Sequence, residues 1–183
     1  MKEISLNILD IVQNSIKAGA SLIEVHISET DTTLCFSVKD NGCGMTEEFV
    51  KNVTDPFTTT RKTRKVGLGI PLLKMEAEMT GGSFSIESRS EKEYEDHGTV
   101  VTACFRKDSI DCIPLGDIVG TVCVLIHGIG DEDILFVHQT PKGTVRLFSA
   151  EMREMLGEDV PLGDPEIVAW VRDYLQEAYQ SME

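Results

Sequence analysis

The chain has 183 residues and a mass of 20.2 kDa, with 41% hydrophobic and 26% charged residues, which suffices for one ordinary core and a small additional region. The formal net charge of -14 opposes the approach of nucleic acid to the surface as a whole. No apolar run reaches the roughly 18 residues of a membrane helix, and polar residues interrupt the first apolar stretch, unlike in a signal peptide. We therefore expect a cytoplasmic protein that binds neither nucleic acid nor a membrane.

Hydrophobic periodicity predicts alternating helices and strands in the first part of the chain. The predicted elements are a helix over about 5–18, strands at 22–28 and 34–39, a short helix from Thr46, a helix over about Gly69–Met79 closed by Gly81 and Gly82, and strands at 83–88 and 99–106. This order predicts an α/β fold, in its α+β form, with helices on one face of a mixed or antiparallel sheet.

A change in charge near residues 108–116 predicts a domain boundary, because residues 1–107 carry a net charge of -3 and residues 108–183 a net charge of -11. The acidic part contains apolar runs at 118–127, 134–138 and 144–148 that predict strands, and two helices should close it. The last helix has a clear start signal, with Asp164 as N-cap and Pro165 at the first helical position. We expect a smaller α+β region of unknown role.

The cysteines and histidines give no sign of a metal site. The five cysteines are odd in number and form no C-x-x-C pair, so we expect reduced and mostly buried thiols. The four histidines lack close spacing, and none is assigned as a metal ligand.

Two polar clusters are candidates for chemistry. The first helix places Asn7, Asp10, Asn14 and Lys17 along one face, which is either a solvated face or a functional one. The sequence DNGCGM, residues 40–45, directly follows the second predicted strand. Its glycines allow close approach of a flat ligand and its carboxylate can accept a hydrogen bond from an amine, although a simple tight turn has the same composition.

A basic segment precedes the predicted helix at Gly69. Four of the five residues from 61 to 65 are cationic, and Gly67 and Gly69 then lead into the helix, with Pro71 in its first turn. Free backbone N–H groups and the positive end of the helix dipole can bind a phosphate there. The Walker pattern and the G-x-G-x-x-G fingerprint are both absent, which argues against a P-loop nucleotidase and a dinucleotide-binding fold.

The order of these motifs resembles a known family. DIVQNSIKAGA at 10–20, DNGCGM at 40–45, FTTTR at 57–61 with GLGI at 67–70, and Gly98-Thr99 look like the ATP-binding domain of gyrase, heat-shock chaperones, histidine kinases and mismatch-repair ATPases, the GHKL group. The resemblance covers about residues 3–107. It implies a Bergerat-type two-layer sandwich in which ATP lies under a mobile lid together with Mg²⁺.

The resemblance also implies roles for individual residues. They are Asp10 as the catalytic carboxylate, Asn14 as the Mg²⁺ ligand, Asp40 and Thr99 at the adenine amine, Gly42 and Gly44 for approach of the base, Met45 on its face, Lys17 and Arg61 at phosphate oxygens, and Gly67 and Gly69 as backbone donors of the lid. Lys62, Arg64 and Lys65 are each either phosphate contacts or part of a solvated lid.

Two departures from the family pattern bear on activity. Hydrolysing members usually carry Glu where this chain has Asp10, and a carboxylate withdrawn by about 1.5 Å can lower a rate by about 100-fold. The lid also lacks the leading glycine of many kinases. We therefore expect a slow Mg²⁺-dependent ATPase that acts as a switch for a protein partner, with a His or Ser protein kinase and a non-hydrolysing ATP sensor as alternatives. The acidic region is either a surface for a basic partner or an ordinary solvated surface, and a homodimer is compatible with the sequence.

Overall fold

The fold is described from a computed structural model, which places residues 3–54, 69–157 and 159–182. Its six helices within these ranges are α1 (Ile4–Lys17), α2 (Glu47–Val53), α3 (Gly69–Met79), α4 (Ile118–Gly128), α5 (Ser149–Leu156) and α6 (Pro165–Gln180). Its strands are β1 (Leu22–Glu29), β2 (Thr33–Asp40), β3 (Ser83–Arg89), β4 (Gly98–Arg106), β5 (Asp133–Thr140) and β6 (Gly143–Phe148).

The strands form a single six-stranded sheet in the order β3-β4-β2-β1-β5-β6. β1 and β5 are parallel, and the other neighbouring pairs are antiparallel. Alternate side chains of the central strands are buried, as Leu34, Phe36 and Val38 of β2 show. Their register partners Val101, Ala103 and Phe105 of β4 are also buried, so one face of the sheet carries the core and the helices cover it. The predicted two-layer α/β class is confirmed.

The residues after 108 extend this same sheet rather than building a separate one. β5 pairs with β1, and the connection from β4 to α4 bonds to the start of α1 through Ile4 N to Pro114 O and Ser5 N to Leu115 O, both at 2.9 Å. The boundary between 1–107 and 108–183 therefore separates a weakly acidic region from a strongly acidic one, and both regions contribute strands to the same sheet. As a statement about domains it stays a prediction.

The predicted strand at 118–127 is wrong, because this segment is α4. Its N-cap is Asp117, whose carboxylate accepts a hydrogen bond from Gly120 N at 2.7 Å. α4 packs against both α1 and α6, so Val122, Leu125 and Ile126 are all buried. A helix that is apolar on most sides has no clear 3.6-residue pattern, and its β-branched residues then resemble a buried strand.

The expectation of reduced thiols is wrong for one pair. Cys35 of β2 and Cys104 of β4 are register partners and form a disulfide, with a Cα–Cα distance of 4.0 Å. They are 69 residues apart in sequence, so spacing alone gave no sign of the pair. Cys43, Cys112 and Cys123 are free.

A buried hydrogen-bonded chain fastens the end of α6 to the sheet. His138 is 2% exposed, and its Nδ1 lies 2.8 Å from the Tyr179 hydroxyl and its Nε2 3.0 Å from Glu29 Oε1. Burial lowers the pKa of His138, and the Glu29 carboxylate opposes this shift. Lys107 Nζ donates to the other Glu29 oxygen at 2.9 Å. The lowered pKa favours a neutral imidazole that donates to Glu29 and accepts from Tyr179.

Candidate nucleotide-binding site

A cavity of about 550 Å³ opens between α1, the end of β2 and the start of β4. The described residues that line it are Ile11, Asn14, Ser15, Lys17, Ala18, Asp40, Cys43, Gly44, Met45, Phe49, Ile70, Thr99 and Val101. Six predicted site residues are therefore brought together from three separate parts of the chain. Arg61 and Gly67 lie outside the described residues, as do Lys62, Arg64 and Lys65.

Asp40 lies at the end of β2, directly opposite Thr99 in the register of β2 and β4. Its Oδ1 accepts hydrogen bonds from Gly42 N at 2.9 Å and from Thr99 N at 3.3 Å. Its Oδ2 accepts from the Ser15 hydroxyl at 2.6 Å. A carboxylate has about four lone-pair sites, so these three donors fix its orientation and leave acceptor capacity for an amine in the cavity.

Ser15 is a site residue that the sequence analysis missed. It is 3% exposed and lies on the face of α1 that meets the sheet, so it resembles an ordinary core position in sequence. Its hydroxyl lies 2.6 Å from Asp40 Oδ2 and 3.3 Å from Ile11 O. The sequence offered one signal: Ser15 is a polar residue directly after Asn14, and Ile11 and Val12, one helical turn before it, are apolar.

Ser88 of β3 is a second residue that was missed. Its hydroxyl accepts from Met45 N at 2.8 Å, donates to Gly98 O at 3.1 Å, and lies 2.8 Å from the Thr99 hydroxyl. Since its proton is directed to Gly98, the Thr99 hydroxyl is the donor between the two side chains. Ser88 therefore ties the backbone at Met45 to Thr99, so that both have fixed positions beside the cavity.

The two glycines of the loop after β2 are required mainly by the protein itself. A Cβ at Gly42 would lie 2.9 Å from both Cβ and O of Ala18, so Gly42 allows the loop to pack against the end of α1. Gly44 has a φ of +64°, and a Cβ there would lie 1.9 Å from Arg89 O. Gly44 lines the cavity and Gly42 faces Ala18, so a role of Gly42 in approach of the base stays a prediction.

Asp10 belongs to α1, and its carboxylate lies beside Gly69, the first residue of α3. A Cβ at Gly69 would be 1.9 Å from Asp10 Oδ2, so the absence of a side chain there allows the carboxylate to approach the helix closely. The N-terminus of a helix carries partial positive charge, which favours an anion at this place. The structure thus joins the polar face of α1 to the helix start that follows the basic segment.

The polar stripe on α1 serves more than one purpose. Asn7 is 1% exposed, and its Nδ2 donates to Glu76 Oε2 on α3 at 2.9 Å. Its Oδ1 has no hydrogen-bond partner among the described residues. Asn14 is half-buried at the cavity, and Lys17 is exposed at its rim in the last turn of α1. The alternative of a fully solvated face is therefore wrong.

The donor set suits Mg²⁺ only with help from a bound phosphate. Within the described parts of the chain, no three His, Cys, Asp or Glu side chains cluster closely enough to hold a metal by themselves. Mg²⁺ commonly keeps several waters and takes few protein ligands together with substrate phosphates. The amide oxygen of Asn14, half-buried in a cavity large enough for a nucleotide, fits that pattern.

Among the helices of the described ranges, none has the length and apolarity needed to cross a membrane.

Comparisons with curated proteins find signalling kinases. Sporulation kinase C of Bacillus subtilis (strain 168) is 31% identical over 94 residues, which are 50% of this chain and 21% of that protein. Sensor histidine kinase YvrG of the same strain is 30% identical over 89 residues, 46% of this chain and 14% of that protein. The chain thus spans less than a quarter of the length of these two relatives.

A likeness to a solved structure covers more of the chain than the curated relatives do. The crystal structure of the N-terminal domain of a DNA repair protein superposes on 81% of this chain and 52% of that chain, with a TM-score of 0.55 and 16% identity. At this identity the likeness concerns the fold. Residues 2–109 match the family described as "Histidine kinase-, DNA gyrase B-, and HSP90-like ATPase". Since the match spans more than half of the chain and includes the cavity, this protein belongs to that family and carries a GHKL ATP-binding domain.

Proposed function

We propose that the protein is a slow Mg²⁺-dependent ATPase whose nucleotide state controls a partner protein. The observation that carries this proposal is the placement of Asp10 and Asn14 one helical turn apart on α1. Asn14 lines the cavity that holds Asp40, and Asp10 lies at the start of α3. Carboxylate and amide groups therefore follow one helix from the nucleotide cavity towards the site proposed for the phosphates.

Adenine would lie at the end of the cavity that contains Asp40 and Thr99. The oriented Asp40 carboxylate accepts from the adenine amine, and the side chains of Met45 and Phe49 supply apolar surface for the base. The phosphates then extend towards Asn14 and the start of α3. Lys17 at the rim, together with Arg61 and the lid glycines, is assigned to the phosphate oxygens.

Mg²⁺, when bound, would neutralise phosphate charge, with Asn14 as its protein ligand. Asp10 would orient a water molecule and accept its proton while the water oxygen bonds to the γ-phosphorus and the bond to the ADP oxygen breaks. Products are ADP and inorganic phosphate. Because the Asp side chain is one methylene shorter than Glu, we expect slow turnover, which suits a switch better than a metabolic enzyme.

Transfer of the γ-phosphoryl group to a His or Ser of a partner protein is the second candidate. It is favoured by the sequence likeness to Sporulation kinase C, which covers 50% of this chain, and to Sensor histidine kinase YvrG, which covers 46%. A third candidate is a sensor that binds ATP without cleaving it, in which Asp10 only stabilises the start of α3 by its charge.

The test combines nucleotide binding with phosphate release. We expect the protein to release phosphate from ATP slowly and only with Mg²⁺, Asp10→Asn to bind ATP but release none, and Asn14→Ala to lose Mg²⁺-dependent binding. Asp31→Asn, in the exposed turn between β1 and β2, makes the same change in charge and should leave both unchanged. Binding without phosphate release in the unmodified protein would identify the sensor, and transfer of labelled γ-phosphate to a co-purified protein would identify the kinase.

A further inference from the structure

An apolar groove lies between α5 and α6, far in sequence from the nucleotide cavity. It has a volume of about 310 Å³ and is lined by Met152, Met155, Leu156, Glu166, Ile167 and Trp170. Met155 is 81% exposed, Trp170 51% and Leu156 43%. Trp170 also stacks on Tyr174, with ring centroids 5.4 Å apart. Large apolar side chains gathered in one place, rather than scattered, mark a surface that binds a partner.

The walls of the groove are held in place from behind. Arg153 on α5 donates to Asp133 Oδ1 at 3.1 Å and to the backbone oxygens of Gly130 and Glu132 at 2.6 and 3.0 Å. On α6, the Tyr174 hydroxyl donates to Arg146 O at 2.9 Å. The apolar surface is therefore presented by two helices that are fixed to β5 and β6. Binding of a ligand would not have to include the entropic cost of ordering these helices.

Negative charge borders the apolar surface. Glu166, Trp170, Asp173 and Glu177 follow one another on α6 at spacings of four, three and four, so they share one stripe of the helix. Arg172 is the only basic residue in the α6 sequence, and it is two positions from Trp170, on another side of the helix. The whole region from 108 to 183 has a net charge of -11. The occupant must therefore be both apolar and basic.

We propose that the α5–α6 groove binds an amphipathic, basic helical segment of a partner protein. Its apolar residues, repeated at intervals of three and four, would pack on Trp170, Met155 and Leu156, as helices do in apolar grooves. Flanking Lys or Arg side chains would face the acidic stripe and speed association. For its role in a switch this proposal rests on the proposed function, since it supplies the surface that a nucleotide-controlled partner would use.

The probe is a synthetic peptide of about 18 residues, or five helical turns, made of Leu and Lys in an amphipathic order. Trp170 is the only tryptophan in the chain, so its fluorescence reports directly on the groove. We expect the basic peptide to shift that emission and to bind more weakly as salt is raised. A peptide of the same composition in scrambled order, and an amphipathic one with Glu in place of Lys, should not bind.

Matched variants locate the site on the folded full chain, with a labelled peptide as the second readout. Met155→Asp should weaken binding about tenfold or more, as expected for a residue central to an interface. The double change Glu166→Lys and Asp173→Lys should do the same at low salt. Glu91→Lys with Glu93→Lys, an equal change in charge at exposed residues near β3, should leave binding unchanged. Circular dichroism and thermal unfolding show whether each variant is folded.

Several results would overturn the proposal. The first is equal binding of the ordered and scrambled peptides, and the second is no binding of the basic peptide by the unmodified protein. The third is an equal loss of peptide affinity in the double variant on α6 and in the control double variant near β3. Concentration-dependent self-association that changes Trp170 emission and is abolished by Met155→Asp would assign the groove to a second copy of the chain instead. All measurements are made without nucleotide, so a failure of ATP hydrolysis leaves their outcome unaffected and the two proposals fail separately.

Discussion

Replacement of Asp40 by Asn tests most directly whether Asp40 accepts a hydrogen bond from the adenine amine. Oδ1 of Asp40 accepts two backbone N–H groups, from Gly42 and Thr99, so the oxygen of the new amide must occupy that position. The amide nitrogen then takes the place of Oδ2, which lies 2.6 Å from the Ser15 hydroxyl. Ser15 can accept from this nitrogen, so the loop should keep its structure.

The change therefore places a donor where the adenine amine needs an acceptor. Loss of a hydrogen bond to a charged group is worth about 1.5–3 kcal/mol, which corresponds to about 10–100-fold weaker ATP binding. Calorimetric titration with ATP and Mg²⁺ measures this change, and thermal unfolding checks the fold. Asp31→Asn is the matched control, since it removes the same charge from an exposed turn at the other end of β2.

A second ligand separates the adenine contact from a general loss of affinity. Purine riboside triphosphate lacks the amino group, so the unmodified protein should bind it about 10–100-fold less tightly than ATP. Asp40→Asn should bind both nucleotides with similar affinity, because the contact is already lost. Unchanged ATP affinity in Asp40→Asn, or the same preference for ATP in both proteins, would refute the assignment.

Three further predictions concern the fold around the site. Gly44→Ala should lower the free energy of unfolding by at least about 1 kcal/mol more than Gly19→Ala. Both glycines have positive φ, but only a Cβ at Gly44 would meet a backbone oxygen, that of Arg89. Equal losses of stability in urea unfolding would contradict this prediction. Since burial lowers the pKa of His138, the contribution of this residue to stability should be fully present above about pH 6.5 and be lost below it, where the unfolded chain binds a proton that the folded chain excludes. His138→Gln should remove that part of the pH dependence, and an unaltered profile would count against a neutral imidazole. Thiol titration of the unreduced, unfolded protein should find three free thiols and five after reduction; five before reduction would show that the disulfide is absent in solution.

Several elements of the fold could be predicted from local sequence signals. The alternation of Leu34, Phe36 and Val38 predicts β2, and the motif that follows it places Asp40 at the end of that strand. Asp164 and Pro165 predict the start of α6, where the Asp164 carboxylate accepts from Glu166 N at 2.9 Å. These signals are reliable because helix and strand periods and caps depend on bonds between residues close in sequence.

The tertiary structure decided what the local pattern left ambiguous or could not contain. The apolar run of α4 forms a helix that packs against both α1 and α6, with Asp117 as its N-cap. The parallel pairing of β5 with β1 and the link between Cys35 and Cys104 join residues distant in sequence.

At the nucleotide cavity, too, some features follow from local sequence and others only from the tertiary structure. Asn14 and Asp40 could be proposed from their motifs, because each motif is a short run with its own chemistry. The orientation of Asp40 by Ser15, and the approach of Asp10 to Gly69, follow from the packing of α1 against β2 and α3. Such contacts depend on how whole elements are arranged around a common core, and no period in the sequence encodes that arrangement.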